Sequence, residues 1–170
     1  MTEEQRRYLF VQSVIGSAIV NSILNGAIGW GITIGLTEFP VWKTPGAAGD
    51  FVATAFGVAF GTSLGSWLQI RIDLARGKIS PPVLSGTLAT WIARAPRGAL
   101  KRAFAFGAIG AVLFGIPALA ALVASGSTAI SRMPFVGIKA GFSAIEGGLM
   151  TPFILLATLG NVPGSNRQAS

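Results

Sequence analysis

Four apolar stretches, each long enough to cross a membrane, constrain this chain more than any other feature. A helix needs about 20 predominantly apolar residues to span the hydrocarbon layer of a bilayer. Only 11% of the 170 residues are charged, whereas soluble domains carry about 25% charged residues. The sequence therefore predicts an all-α membrane protein with four transmembrane helices. We place them near Leu9–Leu36, Phe51–Ile70, Ala103–Ser125 and Val136–Leu159.

Basic residues are concentrated between the second and third stretches, and this concentration predicts the orientation of the chain. Cytoplasmic loops of membrane proteins carry an excess of Lys and Arg. We therefore expect a multi-pass protein of the bacterial inner (cytoplasmic) membrane with both termini in the cytoplasm. The basic side chains would bind anionic lipid headgroups rather than nucleic acid, despite the net charge of +7. They are Arg71, Arg76, Lys78, Arg94, Arg97, Lys101 and Arg102.

The two halves of the sequence resemble each other, which predicts an internal duplication. Matching pairs are Gly16 with Gly110 and Pro40 with Pro134, offset by 94 residues, and Phe51 with Phe142, offset by 91. Each half would form a helical hairpin, and the two repeats would be parallel because both start on the same side. The alternative is a chance alignment of Gly- and Phe-rich helices. We expect one membrane domain over 1–170, with repeats at about 7–72 and 101–160, a cytoplasmic linker at 73–100 and a loose tail at 161–170.

The basic linker between the repeats has the pattern of a short amphipathic helix. Ser80 followed by two prolines is typical of a helix start. Apolar residues such as Leu84, Leu88 and Trp91 then fall on one face. This arrangement predicts a helix that lies on the inner leaflet. An ordinary linker is the alternative.

Glycines at a spacing of four mark faces on the first two helices where another helix can approach closely. Such small-residue faces gain dispersion contacts and drive helix association in lipid. We expect these glycines to mediate packing inside the protein, together with some packing between subunits. They are Gly31, Gly35, Gly57, Gly61 and Gly65.

A few polar side chains at mid-depth form the candidate binding site. Glu146 lies about 15 Å from the outer edge of the fourth helix, close to the bilayer midplane. Asn21 and Asn25 reach the same level in the first helix, so the three side chains are expected to meet there. Lys139 would adjust the acidity of Glu146, and Asp50 with Thr54 would form the outer mouth. The structural alternative is that Glu146 only bonds helices together.

Several classes of chemistry find no support in the sequence. The chain contains no Cys and no His, which excludes disulfides and metal sites built on thiolate or imidazole. No hydroxyl group has a neighbouring base, and no phosphate-binding loop is present. We therefore expect no catalytic residues, no metal and no cofactor, and we do not expect an enzyme.

The run Asn21-x-x-x-Asn25-Gly26 followed by Trp30, and then Gly49-Asp50-x-x-x-Thr54-x-Phe56, resembles small bacterial inner-membrane proteins loosely called permeases. The resemblance covers about the first half of the chain. It implies a four-helix inner-membrane protein of undefined activity that shares Asn21, Asn25, Asp50 and Thr54. Glu146 lies outside the matched stretch.

Two functional hypotheses follow from the sequence. The first is a small permease or channel-like transporter of a cation, proton or small polar solute, forming a homo-oligomer. The second is a non-catalytic accessory or scaffold subunit of a larger membrane complex. The absence of a soluble domain and the scarcity of intramembrane charge favour the second, whereas the mid-depth polar cluster favours the first.

Overall fold

The computed structural model describes residues 7, 11, 13–78, 95–96 and 98–160, and most of these lie in helices. Four helical spans are long and apolar enough to cross a membrane. The first is α1 (Ser13–Ile32), the second is α2 (Ala47–Ala75), and the fourth is α5 (Arg132–Leu159). The third span consists of α3 (Ala99–Gly110), a π-helical segment (Ala111–Gly115) and α4 (Ile116–Ser125). The prediction of four membrane-spanning helices is confirmed by length and composition.

The loop between α1 and α2 and the loop between α4 and α5 pair as a short antiparallel sheet, which was not predicted from the sequence. Strand β1 (Glu38–Pro40) follows α1, and β2 (Ala129–Ser131) follows α4. Phe39 lies opposite Ile130 at the centre of this pair. We call this end of the molecule the sheet end and the opposite end, which holds Arg71, the basic end.

The start of α2 depends on a glycine. A Cβ atom at Gly46 would lie only 2.1 Å from the Lys43 carbonyl oxygen, so no other residue fits without moving the loop. Asp50 then lies in the first turn of α2, where a negative charge is favoured by the helix dipole. This turn places the Asp50 carboxylate at the sheet end of the second span.

The third span changes its winding in the middle. The π-helical segment ends immediately before Ile116 and Pro117. Proline has no backbone N–H, so the regular hydrogen-bond ladder is interrupted at Pro117, and the helix widens in the preceding turn. The span then ends at Gly126, which has a positive φ of 64°, the left-handed conformation that glycine adopts most readily.

The helices do not pack in the order of the sequence. Helix α1 packs along α5, α5 also packs on α2, and α2 packs on the third span. By contrast, α1 makes few contacts with α2, although the two are joined by one loop. The two helices of each predicted hairpin therefore pack mainly on helices of the other half and not on each other.

Two clusters of buried side chains hold this arrangement together. The cluster at the sheet end contains Phe39, Ala47, Phe51 and Phe135, with the rings of Phe39 and Phe135 4.6 Å apart. The cluster nearer the basic end joins α2, α3 and α5 through residues that include Ala59, Phe106, Met150, Ile154 and Ala157. Both clusters contain side chains of α2 and of α5, so these two helices form the centre of the fold.

Two predictions lie outside the described residues. The amphipathic linker helix falls mostly in 79–94, and the loose tail falls in 161–170. Arg94 and Arg97 lie outside the described residues as well. The linker helix, the loose tail and the headgroup role of these two arginines remain predictions.

Candidate functional site

A groove of about 810 Å³ runs between α1 and α2, with parts of α5 as its floor. It exists because α1 and α2 are each held by α5 and hardly touch each other. Its lining is largely apolar but includes a series of polar side chains. The hydroxyl and amide groups come from Ser13, Ser17, Asn21 and Asn25 of α1, and from Thr54, Thr62, Ser66 and Gln69 of α2.

Helical periodicity explains why these side chains share one groove. Residues four positions apart lie one above the other on a helix, and the polar residues of α1 recur at this interval. On α2, Thr62 and Ser66 follow the same interval, and Gly57, Gly61 and Gly65 line the groove beside them. Asn21, Asn25 and Thr54 were predicted from the sequence, whereas the remaining serine, threonine and glutamine side chains were not. The interval of four along α1 was the signal that could have found them.

At mid-depth the groove is bridged by a hydrogen bond between α1 and α2. The Asn21 amide nitrogen donates to the Thr62 hydroxyl at 3.2 Å, and also to the Ser17 carbonyl at 2.9 Å. The Asn25 amide donates to the Asn21 carbonyl at 3.0 Å. A Cβ atom at Gly147 of α5 would lie 2.6 Å from the Asn21 amide nitrogen. Glycine at position 147 therefore leaves the space that the Asn21 side chain occupies.

An ion pair closes the sheet end of the groove. The Lys139 ammonium donates to both carboxylate oxygens of Asp50, at 2.5 and 2.6 Å. The Lys139 side chain is almost fully buried, while that of Asp50 remains 17% exposed. The expectation that Lys139 acts on Glu146 is wrong for this structure, because its charged group pairs with Asp50 instead. The long lysine side chain reaches from α5 to α2, which counting along a single helix could not reveal.

Glu146 does not line the groove. It is fully buried, and neither carboxyl oxygen has a hydrogen-bond partner among the described residues. A Cβ atom at Gly110 of α3 would lie 2.8 Å from Glu146 Oε1 and 2.6 Å from the Ala55 carbonyl oxygen. Glu146 therefore faces the crossing of α2 and α3. The expected meeting of Glu146 with Asn21 and Asn25 is wrong for this structure, whereas Asn21 and Asn25 do lie together.

The predicted glycine faces do not pack inside the described part of the protein. A Cβ atom at any of the five positions would meet no neighbouring atom within 4 Å, and Gly35 lies in the turn after α1 and not in the helix; the five are Gly31, Gly35, Gly57, Gly61 and Gly65. The expectation of internal packing at these glycines is therefore wrong. Close helix contacts occur instead at Gly29, Gly107, Gly110 and Gly147.

Four of the predicted headgroup-binding residues are exposed, namely Arg71, Arg76, Lys78 and Lys101. Arg102 differs from them because it is only 1% exposed. Its Nε and Nη2 atoms find no hydrogen-bond partner among the described residues. The expectation that Arg102 faces lipid headgroups is wrong, since the first turn of α3 directs it into the helix bundle. The described residues contain no group of three or more acidic side chains that could hold a metal ion.

No protein-family model, no curated protein and no solved structure matches this chain.

Proposed function

We propose that this protein is a small permease or channel-like transporter. In this proposal a cation, proton or small polar solute crosses the membrane along the groove between α1 and α2. The observation that carries this proposal is the length of the polar lining. Asp50 and Gln69 both line the groove, and 19 residues of helix separate them, about 28 Å. The hydrocarbon core of a bilayer is about 30 Å thick. The groove therefore offers polar contacts through most of that depth.

Hydroxyl and amide groups suit a path for hydrated or polar ligands. Leaving a polar group unpaired in an apolar medium costs several kcal/mol, roughly 2–7. Side chains that offer hydrogen bonds along the way lower this barrier, and channels achieve selectivity with such groups. The Asn21–Thr62 hydrogen bond joins α1 and α2 across the groove at 3.2 Å. We assign it the role of a constriction that opens when a ligand replaces one of its partners.

The proposal is tested by flux into vesicles that contain the purified protein. The probes are protons, K⁺ and glycerol, each measured with a dye or by vesicle swelling. Gly61→Leu places a large side chain in the groove and is expected to abolish the flux. Gly141→Leu is the matched control, because Gly141 also has open space around its Cβ position but does not line the groove. Equal flux with both variants would refute the proposed path.

One observation favours the accessory or scaffold subunit as a second candidate. The open faces of Gly57, Gly61 and Gly65 leave room for a partner helix, and such faces associate closely in lipid. This alternative predicts that the protein extracted from its native membrane in mild detergent carries unrelated subunits. A particle that contains only copies of this chain would instead favour the transporter, whose homo-oligomer we retain as part of the proposal.

We also propose that the basic end faces the cytoplasm of a bacterial inner membrane. Arg71, Arg76, Lys78 and Lys101 are exposed there, where they can contact anionic headgroups. Arg71 lies over the ring of Trp67 at 5.0 Å, and tryptophan is enriched at membrane–water interfaces. Modification of a single introduced cysteine at Lys78 in intact cells tests this orientation, since an outward-facing site would react with an impermeant reagent.

We further propose that the two halves arose by duplication. In this duplication α1 corresponds to the third span, and α2 corresponds to α5. The packing of α1 on α5 is then equivalent to the packing of the third span on α2. A two-fold axis along the membrane normal would relate the halves.

A further inference from the structure

We propose that the ligand of the groove is a membrane phospholipid with a zwitterionic headgroup, which the protein passes between the two leaflets. This inference rests on the proposed transport function and specifies its substrate class. In this mechanism the headgroup moves along the polar lining while the acyl chains stay in the surrounding lipid.

The shape of the groove is the first reason. The groove opens sideways rather than forming a closed pore, since α1 and α2 hardly touch. Its rim on α1 is apolar, and Val20 and Leu24 are 62% and 54% exposed. The rim on α2 is low at Gly57, Gly61 and Gly65, which have no side chains. A ligand in this groove contacts polar groups on one side and hydrocarbon on the other, and an amphipathic molecule matches both.

Charge is the second reason. Among the described residues that line the groove, the ionisable ones are Asp50 and Lys139. These two neutralise each other through their paired contacts, so the groove carries no net charge. It therefore gives no advantage to a simple cation or anion. A group that carries both charges can exchange with this ion pair: its cationic part approaches the partly exposed Asp50 carboxylate, and its anionic part then takes the place of Asp50 beside the buried Lys139 ammonium.

The position of the ion pair adds a third reason. Asp50 and Lys139 lie at the sheet end, where a headgroup would leave the interface and enter the groove. Beyond them, Asn25, Asn21 and Thr62 continue the polar lining toward the basic end. The volume of about 810 Å³ lies in the range of ligand pockets, about 300–1,000 Å³. A headgroup therefore finds an entry with matching charges and hydrogen-bonding side chains beyond it.

The experiment measures lipid exchange and solute flux in the same vesicles. Purified protein is placed in phosphatidylcholine vesicles that contain a trace of phosphatidylcholine with a fluorophore on one acyl chain. Dithionite then bleaches only the outer leaflet, so additional bleaching reports lipid that has crossed. Proton, K⁺ and glycerol flux are recorded in parallel.

The groove is blocked after reconstitution, so folding of the variant is not in question. The chain contains no cysteine, and Gly61→Cys therefore introduces a single thiol into the groove. A bulky thiol reagent is expected to slow lipid exchange roughly tenfold, equivalent to about 1.4 kcal/mol in barrier height. The matched control, Gly141→Cys, lies outside the groove, and its modification should leave the exchange unchanged.

The possible outcomes separate the two proposals. Lipid exchange that is blocked at Gly61→Cys but not at Gly141→Cys supports both. Solute flux without lipid exchange overturns the phospholipid inference and leaves the transport function standing. If neither lipid nor solute crosses, both proposals fail. Disulfide cross-linking of Gly61→Cys between two copies, without lipid exchange, would show that a second copy occupies the groove and would also overturn the inference.

Discussion

The groove between α1 and α2 and its counterpart in the second half of the chain differ in polarity. Under the proposed duplication, the third span and α5 form the equivalent surface. The counterparts of Asn21, Asn25, Asp50, Thr54 and Thr62 are Gly115, Leu119, Gly141, Ile145 and Phe153. Ile145 and Phe153 are both more than half exposed, as expected for side chains that face lipid. The same helical plan thus carries one polar surface and one apolar surface.

The difference in polarity between the two surfaces bears on whether the polar side chains are needed for folding or for function. An apolar surface is sufficient for a helix bundle in lipid, because lipid tails are as apolar as leucine. Polar groups on the first surface contribute little to folding unless they are paired, and unpaired groups oppose it. Asp50 and Asn21 are paired within the protein, and the four predictions that follow test whether this polar surface serves folding or the proposed transport.

The largest effect is expected from the ion pair. Asp50→Ala leaves the buried Lys139 ammonium without its partner, which typically costs about 3–5 kcal/mol. Gly141→Ala changes the equivalent position of the apolar surface and is expected to stay within about 0.5 kcal/mol of the parent. Thermal unfolding in detergent compares the two. Replacing both charges, as in Asp50→Asn with Lys139→Met, should recover part of the loss. Equal melting of Asp50→Ala and Gly141→Ala would show that the pair does not stabilise the fold.

The second effect concerns Gly16 and Gly110, which match in the two halves. A Cβ atom at Gly110 would lie 2.8 Å from the Ala59 Cβ and the Glu146 Oε1 atoms, whereas at Gly16 it meets nothing within 4 Å. Gly110→Ala is therefore expected to destabilise by about 1–3 kcal/mol through overpacking. Gly16→Ala should be neutral or slightly stabilising, because alanine favours helix. The same unfolding assay applies, and a larger loss at Gly16 would contradict the described packing.

A smaller effect is expected at the constriction. Thr62→Val keeps the shape of the side chain but removes the acceptor for the Asn21 amide. Such interhelical hydrogen bonds contribute about 0.6–2 kcal/mol in membranes. We expect a modest loss of stability together with faster flux, because α1 and α2 are no longer bridged. Thr54→Val is the control, since its hydroxyl has no such bridge among the described contacts. Faster flux in Thr54→Val alone would place the constriction elsewhere.

The smallest effect is expected from Glu146→Gln. Glu146 lies outside the groove, and its counterpart in the first half is Ala55. The substitution retains size and polarity, so flux should remain within about twofold of the parent. Vesicle flux measured beside unfolding temperature distinguishes transport from folding. Loss of flux in a stable Glu146→Gln protein would show instead that Glu146 takes part in transport.

The spans were predictable from the sequence because length and hydropathy are local properties. Asn21, Asn25, Asp50 and Thr54 were also identified, since polar residues stand out within apolar helices. Their partners were not predictable, because partners depend on which helices pack together. Lys139 and Glu146 lie seven residues apart on nearly the same face of α5, and yet one pairs with α2 while the other faces Gly110 of α3.

The glycine spacing failed for a related reason. A spacing of four indicates a smooth face but does not indicate whether a helix covers it. In α2 the face with Gly57, Gly61 and Gly65 stays open because α1 is held by α5 instead. Similarly, Arg102 appeared to belong to the basic loop because it follows Lys101, but the helix directs adjacent residues to different sides.

The packing of α1 on α5 has a consequence for biosynthesis. Helix α1 is the first of the four spans to emerge from the ribosome, and α5 is the last. Until α5 has been inserted, the face of α1 that carries Ser17 and Asn21 lacks its native neighbour, Gly147. Assembly of this bundle is therefore completed only after synthesis of the fourth span. During that interval the nascent first span depends on the insertion machinery or on lipid for its contacts.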